Sequence, residues 1–170
     1  MKMKKVFAGF ICIVLLSLCM STGMAVKAQY DNTVAFLSMM DDMNINYTVE
    51  GITDTESEIE KVYIKNKGEK ATYTINYFFD KENTEVGIRV WDLISFKATD
   101  MSRVLRIINS LNYDYKYVRW YVDETDNTVT VAYDVIVRSN ADVADVIVEA
   151  TFHLVNCIDA GYELLEMYNR

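Results

Sequence analysis

From Asn112 to Ile136 the chain reads NYDYKYVRWYVDETDNTVTVAYDVI, and apolar and polar positions alternate on both arms of this stretch. Val118, Trp120 and Val122 form one series; Val129, Val131, Tyr133 and Val135 form the other, with a polar Asp123 to Thr128 connection between them. Period-two alternation around a turn predicts a β-hairpin with one buried face. Upstream, Ile45 to Glu50, Glu60 to Lys65, Ala71 to Phe79 and Thr84 to Phe96 read as strands. Gly51 to Glu60 reads as an acidic loop, and NKGE and DKEN supply turns because Asn, Asp and Gly tolerate turn backbones.

Helical periodicity frames these strands. Asp31-Asn32-Thr33 offers N-cap residues for a helix to about Met43, with Val34, Phe36, Leu37 and Met40 on its apolar side. Thr99-Asp100 is expected to cap a second helix with a core face of Met101, Val104, Leu105, Ile108 and Leu111. Ala141 to about Tyr168 predicts a long third helix whose stripe is Val143, Val146, Ile147, Ala150, Leu154, Cys157, Ile158, Gly161 and Leu165. The expected fold is therefore α+β, an antiparallel sheet with helices packed on one face, in the order α-β-β-β-β-α-β-β-α. Val148, Phe152 and Val155 fall away from the third helix's stripe. Either another part of the chain covers them, or they form a surface for a partner or a homodimer.

Strand alternation also defines a second face. If Val118, Trp120 and Val122 point toward the helices, Tyr117, Arg119 and Tyr121 point the other way, and Arg89 and Trp91 alternate similarly with Val86, Ile88 and Val90. An outer face bearing Arg89, Trp91, Tyr117, Arg119 and Tyr121 has the composition of interface hot spots. Ordinary cross-strand pairing on an open face would use the same residues.

The first 28 residues change the picture of where this domain works. Lys2, Lys4 and Lys5 precede the apolar run Val6 to Met20, and Val26-Lys27-Ala28 ends the segment before Gln29. That is the pattern of a secretory signal with Ala28 as the last residue removed, leaving a single domain from 29 to 170. An uncleaved anchor is the rival, but Ser17, Ser21 and Thr22 cut the apolar run short of the ~20 residues a span needs. Leu18 before Cys19 argues against lipid attachment. The expected location is outside the cytoplasm, periplasmic or extracellular, with no stable membrane insertion once the leader is gone.

The whole chain carries 17 Lys and Arg against 25 Asp and Glu, a net charge of −8. Losing the leader removes Lys2, Lys4, Lys5 and Lys27 and no acid, which deepens the imbalance. Such a chain lacks the basic footprint of nucleic-acid binders, so no nucleic-acid partner is expected. Cys12 and Cys19 leave with the leader and Cys157 remains alone, so no intrachain disulfide can form. The absence of proline fits regular elements with short connections.

Candidate chemistry is thin. His153 and Cys157 lie one helical turn apart, a spacing open to a thiol nucleophile or a metal. Cys157 belongs to the core stripe, and a zinc site needs three or four ligands that the mature chain does not supply. The acidic groups Asp41-Asp42, Asp54-Glu56-Glu58-Glu60 and Asp123-Glu124-Thr125-Asp126 read as solvated loops. The last of these lacks the glycine and distal glutamate of a calcium loop. No catalytic, cofactor or metal residue is therefore assigned. A small hydrolase would need two of the carboxylates to converge in a pocket.

The element order, together with LRIINSLN at Leu105 to Asn112, YVRWYVDETDNTVTVAYDV from Tyr117, and Ile158-Asp159-Ala160-Gly161-Tyr162 in the closing helix, resembles the YbjN-type domain family. The resemblance spans about Asp31 to Tyr168. It implies a fold like that of type III secretion chaperones, a label of bacterial sensory-transduction regulator, and a non-enzymatic module that is often a dimer and acts by binding. Secretion chaperones work in the cytoplasm, whereas this leader predicts export. What carries over is the fold and a protein-binding surface. The expected function is an exported binding or regulatory module; a carboxylate hydrolase and a membrane-tethered regulator are the alternatives.

Overall fold

The computed structural model describes residues 28–50, 58–137 and 143–170. The segment up to residue 27, where a secretory signal is expected, and most of the expected acidic loop lie outside them. Three helices, α1 (Asp31–Asp42), α2 (Met101–Asp114) and α3 (Val143–Leu165), accompany six strands: β1 (Thr48–Glu50), β2 (Ile59–Lys67), β3 (Thr72–Asp80), β4 (Glu85–Ser95), β5 (Val118–Asp123) and β6 (Thr128–Ile136). The strands form one antiparallel sheet in the order β1-β2-β3-β4-β6-β5. The expected α+β class and element order are those observed.

Burial alternates along β2, β3 and the first half of β4, as the sequence pattern requires of a sheet covered on one side. Val62, Ile64, Ile75, Tyr77, Phe79, Val86, Ile88, Val90, Trp120 and Val131 meet Phe36, Met40, Val104, Ile108, Leu111, Ile147, Leu154 and Ile158 in a single core. The helices therefore share one face of the sheet. Tyr77 donates to Thr151 Oγ1 at 3.2 Å, since the Thr151 hydroxyl is itself donated to the Ile147 carbonyl at 2.8 Å.

Several boundaries differ from the sequence reading for local reasons. Asn44 sits at φ 55°, and α1 ends in a Schellman motif: Asn44 N–H donates to Asp41 O at 3.0 Å and Ile45 N–H to Met40 O at 2.8 Å. That turn consumes Asn44 and Ile45, so β1 begins at Thr48 and not at Ile45. Neither Asp31-Asn32-Thr33 nor Thr99-Asp100 caps its own helix. Asp100 instead pairs with Arg103 at 3.2 Å and belongs to a 3₁₀ turn, Ala98–Asp100, that leads into α2. Val34, Leu105 and Val146, expected on core faces, are exposed.

The N-terminus of α1 is capped from other elements. The Glu60 carboxylate on β2 accepts Gln29 N–H at 2.5 Å and Tyr30 N–H at 3.1 Å. Asn83, in the β3–β4 turn at φ 56°, accepts Asn32 N–H through Oδ1 at 3.1 Å, and its own carbonyl accepts from Asn32 Nδ2 at 3.1 Å. The turn itself is organised by Asp80, which accepts the N–H groups of Thr84 at 2.9 Å and Glu85 at 3.0 Å.

A bulge interrupts β4. Val90 pairs with Val131 and Ile94 with Val129, so four residues of advance on β4 match two on β6. Asp92 absorbs the bend at φ 51°, and the bulge turns both Leu93 and Ile94 into the core.

Candidate functional site

Register assembles the outer face residue by residue. One row crosses the whole sheet as Thr48, Tyr63, Asn76, Arg89, Ala132 and Arg119. The neighbouring row is Glu50, Lys61, Phe78, Gly87 and Asp134. On the other side Lys65 pairs with Thr74, and Thr130 with Tyr121. Lys61, Lys65 and Lys67 of β2 thus share a face with Arg89 and Arg119, and the same parity places Glu50, Asp80, Glu85, Asp123 and Asp134 there, so the face carries both signs of charge.

Asp134 joins the two guanidinium groups. Its Oδ1 accepts from Arg89 Nη2 at 2.5 Å, and its Oδ2 pairs with Arg119 Nη2. The small Ala132 lies between the two arginines in their row, and Gly87 faces Asp134, so both side chains can lean toward one carboxylate. Arg89 is fixed further by donating Nη1 to the Ile88 carbonyl at 2.9 Å and the Tyr133 carbonyl at 3.1 Å. Its side chain is 23% accessible, while that of Arg119 is 63% accessible. The trio carries one net positive charge, presented mainly through Arg119.

Aromatic groups flank it. Trp91 is 47% exposed and packs edge-on against Phe78 with ring centroids 5.3 Å apart; Tyr121 is 43% exposed. Tyr117 stands at the end of this group. It precedes β5 at φ 71°, and its ring stacks on Tyr133, 6.4 Å away. Tyr133 meets His153 of α3 edge-on at 6.1 Å, so the stack reaches toward the helix side at the strand's end. The positive φ interrupts the strand alternation at this point. Arg89, Lys116, Tyr117, Arg119, Tyr121 and Ala132 line a shallow depression at this end of the sheet.

The open edge at β5 is covered by a side chain. Asn112 on α2 donates Nδ2 to the Trp120 carbonyl at 2.9 Å and accepts Trp120 N–H through Oδ1 at 2.8 Å. The amide imitates the next strand and closes the middle of the edge.

Elsewhere the candidate groups are kept apart. His153 Nε2 lies 3.2 Å from the Lys116 carbonyl and 3.8 Å from Cys157 Sγ. A carbonyl can only accept, so a nitrogen donating to it carries the proton and is no base for the thiol. Burial pushes that thiol up to about 11, away from the reactive thiolate. Asp41 accepts from Tyr47, Glu58 pairs with Lys81 at 2.5 Å, and Asp123 accepts Thr125 N–H at 2.9 Å. Among the described residues no group of three or more His, Cys, Asp or Glu is placed to hold a metal ion. No described helix is long and apolar enough to cross a membrane.

Val148, Phe152 and Val155 are half-buried and line a narrow apolar recess with Phe36, Met40 and Met43 of the α1 region. The face of α3 opposite its core stripe is thus turned toward α1.

Six antiparallel strands, three helices on one face and a charged, aromatic face on the other define this protein as an α+β sheet module. No family profile matches the chain, and no curated protein matches it. Among solved structures, the crystal structure of YbjN from E. coli, a protein proposed there to be a transcription regulator, is similar, with a TM-score of 0.50. Sequence identity is 11%, and the match covers 78% of this chain and 93% of that one. The fold is YbjN-like.

Proposed function

We propose that this chain is an exported, non-enzymatic binding module that holds an acidic protein segment on its outer sheet face. The observation that carries the reading is the Arg89–Asp134–Arg119 trio, flanked by Trp91 and Tyr121 on a face that the three helices leave open. A partner carboxylate brought to Arg119 could share or replace Asp134, and the exposed aromatic rings supply apolar contact area at low cost in side-chain entropy. Arg119, the more accessible of the two guanidinium groups, gives such a segment its ion-pair partner, on a face whose other charges are of both signs. The separation of His153 from a base role, and the dispersed carboxylates, support binding over hydrolysis.

The test is a photo-crosslinking amino acid at Tyr121 in the exporting cell, with Tyr113 at the exposed end of α2 as control position. A discrete product at 121 that Arg119→Glu abolishes supports the reading. No product, or one indifferent to Arg119→Glu, rejects it. A product that proves to be a second copy would make this face the homodimer surface. Sequencing the N-terminus of the exported protein separates the soluble module from the membrane-tethered alternative, since a first residue of Gln29 excludes the tether.

A further inference from the structure

Glu60 is 1% exposed, the one charged residue buried among the described residues. A carboxylate taken out of water is costly unless a cation or several hydrogen bonds compensate it. No Lys or Arg pairs with it among the described residues: Lys81, the nearby cation, is engaged by Glu58 at 2.5 Å. Its partners are two main-chain N–H groups, Gln29 at 2.5 Å from Oε1 and Tyr30 at 3.1 Å from Oε2. Gln29 is also the residue that follows the V-x-A cleavage pattern of the leader.

We infer that Glu60 is a receptor for the new N-terminus: cutting between Ala28 and Gln29 turns a neutral hydrogen bond into a buried ion pair and tightens α1 onto β2. The inference rests on the export reading above. In the cut, water breaks the bond between the Ala28 carbonyl carbon and the Gln29 nitrogen. Hydroxide joins the carbonyl, a proton joins the nitrogen, and solvent supplies the second proton that makes it an ammonium at neutral pH. The ammonium forms at the atom that already faces Oε1, so no rearrangement of β2 is needed. The Gln29 side chain is exposed and does not take part.

Removing the leader would thus do more than release the domain. The uncut chain holds a buried carboxylate met by two main-chain N–H groups, and the cut chain pairs it with a cation. The charged and titratable groups around the contact are Tyr30, Glu58, Lys81 and Glu82, and burial and then the Glu60 charge hold the Tyr30 phenol above its ordinary range.

The experiment compares chains covering residues 29–170, which contain the whole described core, with the first amine either free or acetylated, each with Glu60 or Glu60→Gln. Gln29→Ser is used throughout, because a free N-terminal glutamine closes on itself with loss of ammonia and erases the charge. The free amine is expected to raise Tm by roughly 3–8 °C when Glu60 is present and not in Glu60→Gln. The amine's pKa is raised by the pair above its ordinary ~8, so the gain is full below pH ~8 and disappears as pH rises through the raised value. Equal Tm for free and acetylated chains carrying Glu60 overturns the receptor, as does a gain that persists in Glu60→Gln. Should Glu60→Gln fail to fold, the free and acetylated chains with Glu60 intact still decide the matter through the pH dependence of their difference. A first residue other than Gln29 in the exported protein overturns the processing step alone, so the two readings fail separately.

Discussion

The indole of Trp120 on β5 occupies the space that a side chain at Gly161 on α3 would need: a Cβ built there lies 2.5 Å from Trp120 Cη2 and 2.7 Å from Cζ2. Gly161→Ala gains helix propensity of up to ~1 kcal/mol but drives a methyl group into a rigid ring and toward Leu111 Cδ1, 3.2 Å away. Overpacking of a fixed core of this kind costs ~1–3 kcal/mol. Gly161→Ala is expected to lower stability by about 2 kcal/mol in urea unfolding, and Gly161→Ala with Trp120→Phe to recover part of it.

Asn112→Ala removes both bonds to the Trp120 main chain and reopens the sheet edge. Two such bonds contribute about 1–3 kcal/mol. Hydrogen exchange at the Trp120 amide is expected to accelerate, and size-exclusion chromatography to show concentration-dependent association through the uncovered edge. Unchanged exchange at that amide would count against the strand-imitating role.

Asp134→Ala leaves Arg89 held by two carbonyls and frees Arg119. Because Arg119 is largely exposed, the stability change is expected to stay within ~1 kcal/mol. Affinity for a Glu-rich peptide carrying one tyrosine is expected to rise several-fold in Asp134→Ala and to fall in Arg119→Ala. Both effects should shrink as salt is added. Fluorescence anisotropy of a labelled peptide reads all of these.

Alkali is expected to destabilise the fold from pH 9 upward. Burial raises the Cys157 thiol from 9.0 to about 11, and the buried Tyr73 and Tyr77 phenols are also pushed up, in each case by burial first. Between the unfolded and folded values the unfolded chain binds fewer protons, so stability is level below pH 9 and falls as pH rises toward 11 and beyond. Cys157→Ala should remove the first part of that fall, and native Cys157 should react with a thiol reagent only at the rate of opening.

The sheet, its one-sided cover and the hairpin were legible because each depends on periodicity, which is local. Val118, Trp120 and Val122 fell on the inner side as their alternation required. A boundary failed where one backbone angle intervened: Asn44, at φ 55°, delayed β1. Cross-strand identity was not legible. Asp134 could be placed on the outer face by alternation, but its position beside two arginines depends on the register of three strands, which no single-strand pattern contains. Asn112 and Glu60 escaped for a related reason, since each satisfies main-chain groups of another element.

Those borrowed caps set the order in which the chain can fold. The donors at the start of α1 find their acceptors 30, 31 and 51 positions away, on β2 and in the β3–β4 turn. A helix of 12 residues without a cap of its own is marginal in water. The first of the described helices to be synthesised is therefore among the last to become stable, and its closure waits on long-range contacts that the meander must make first.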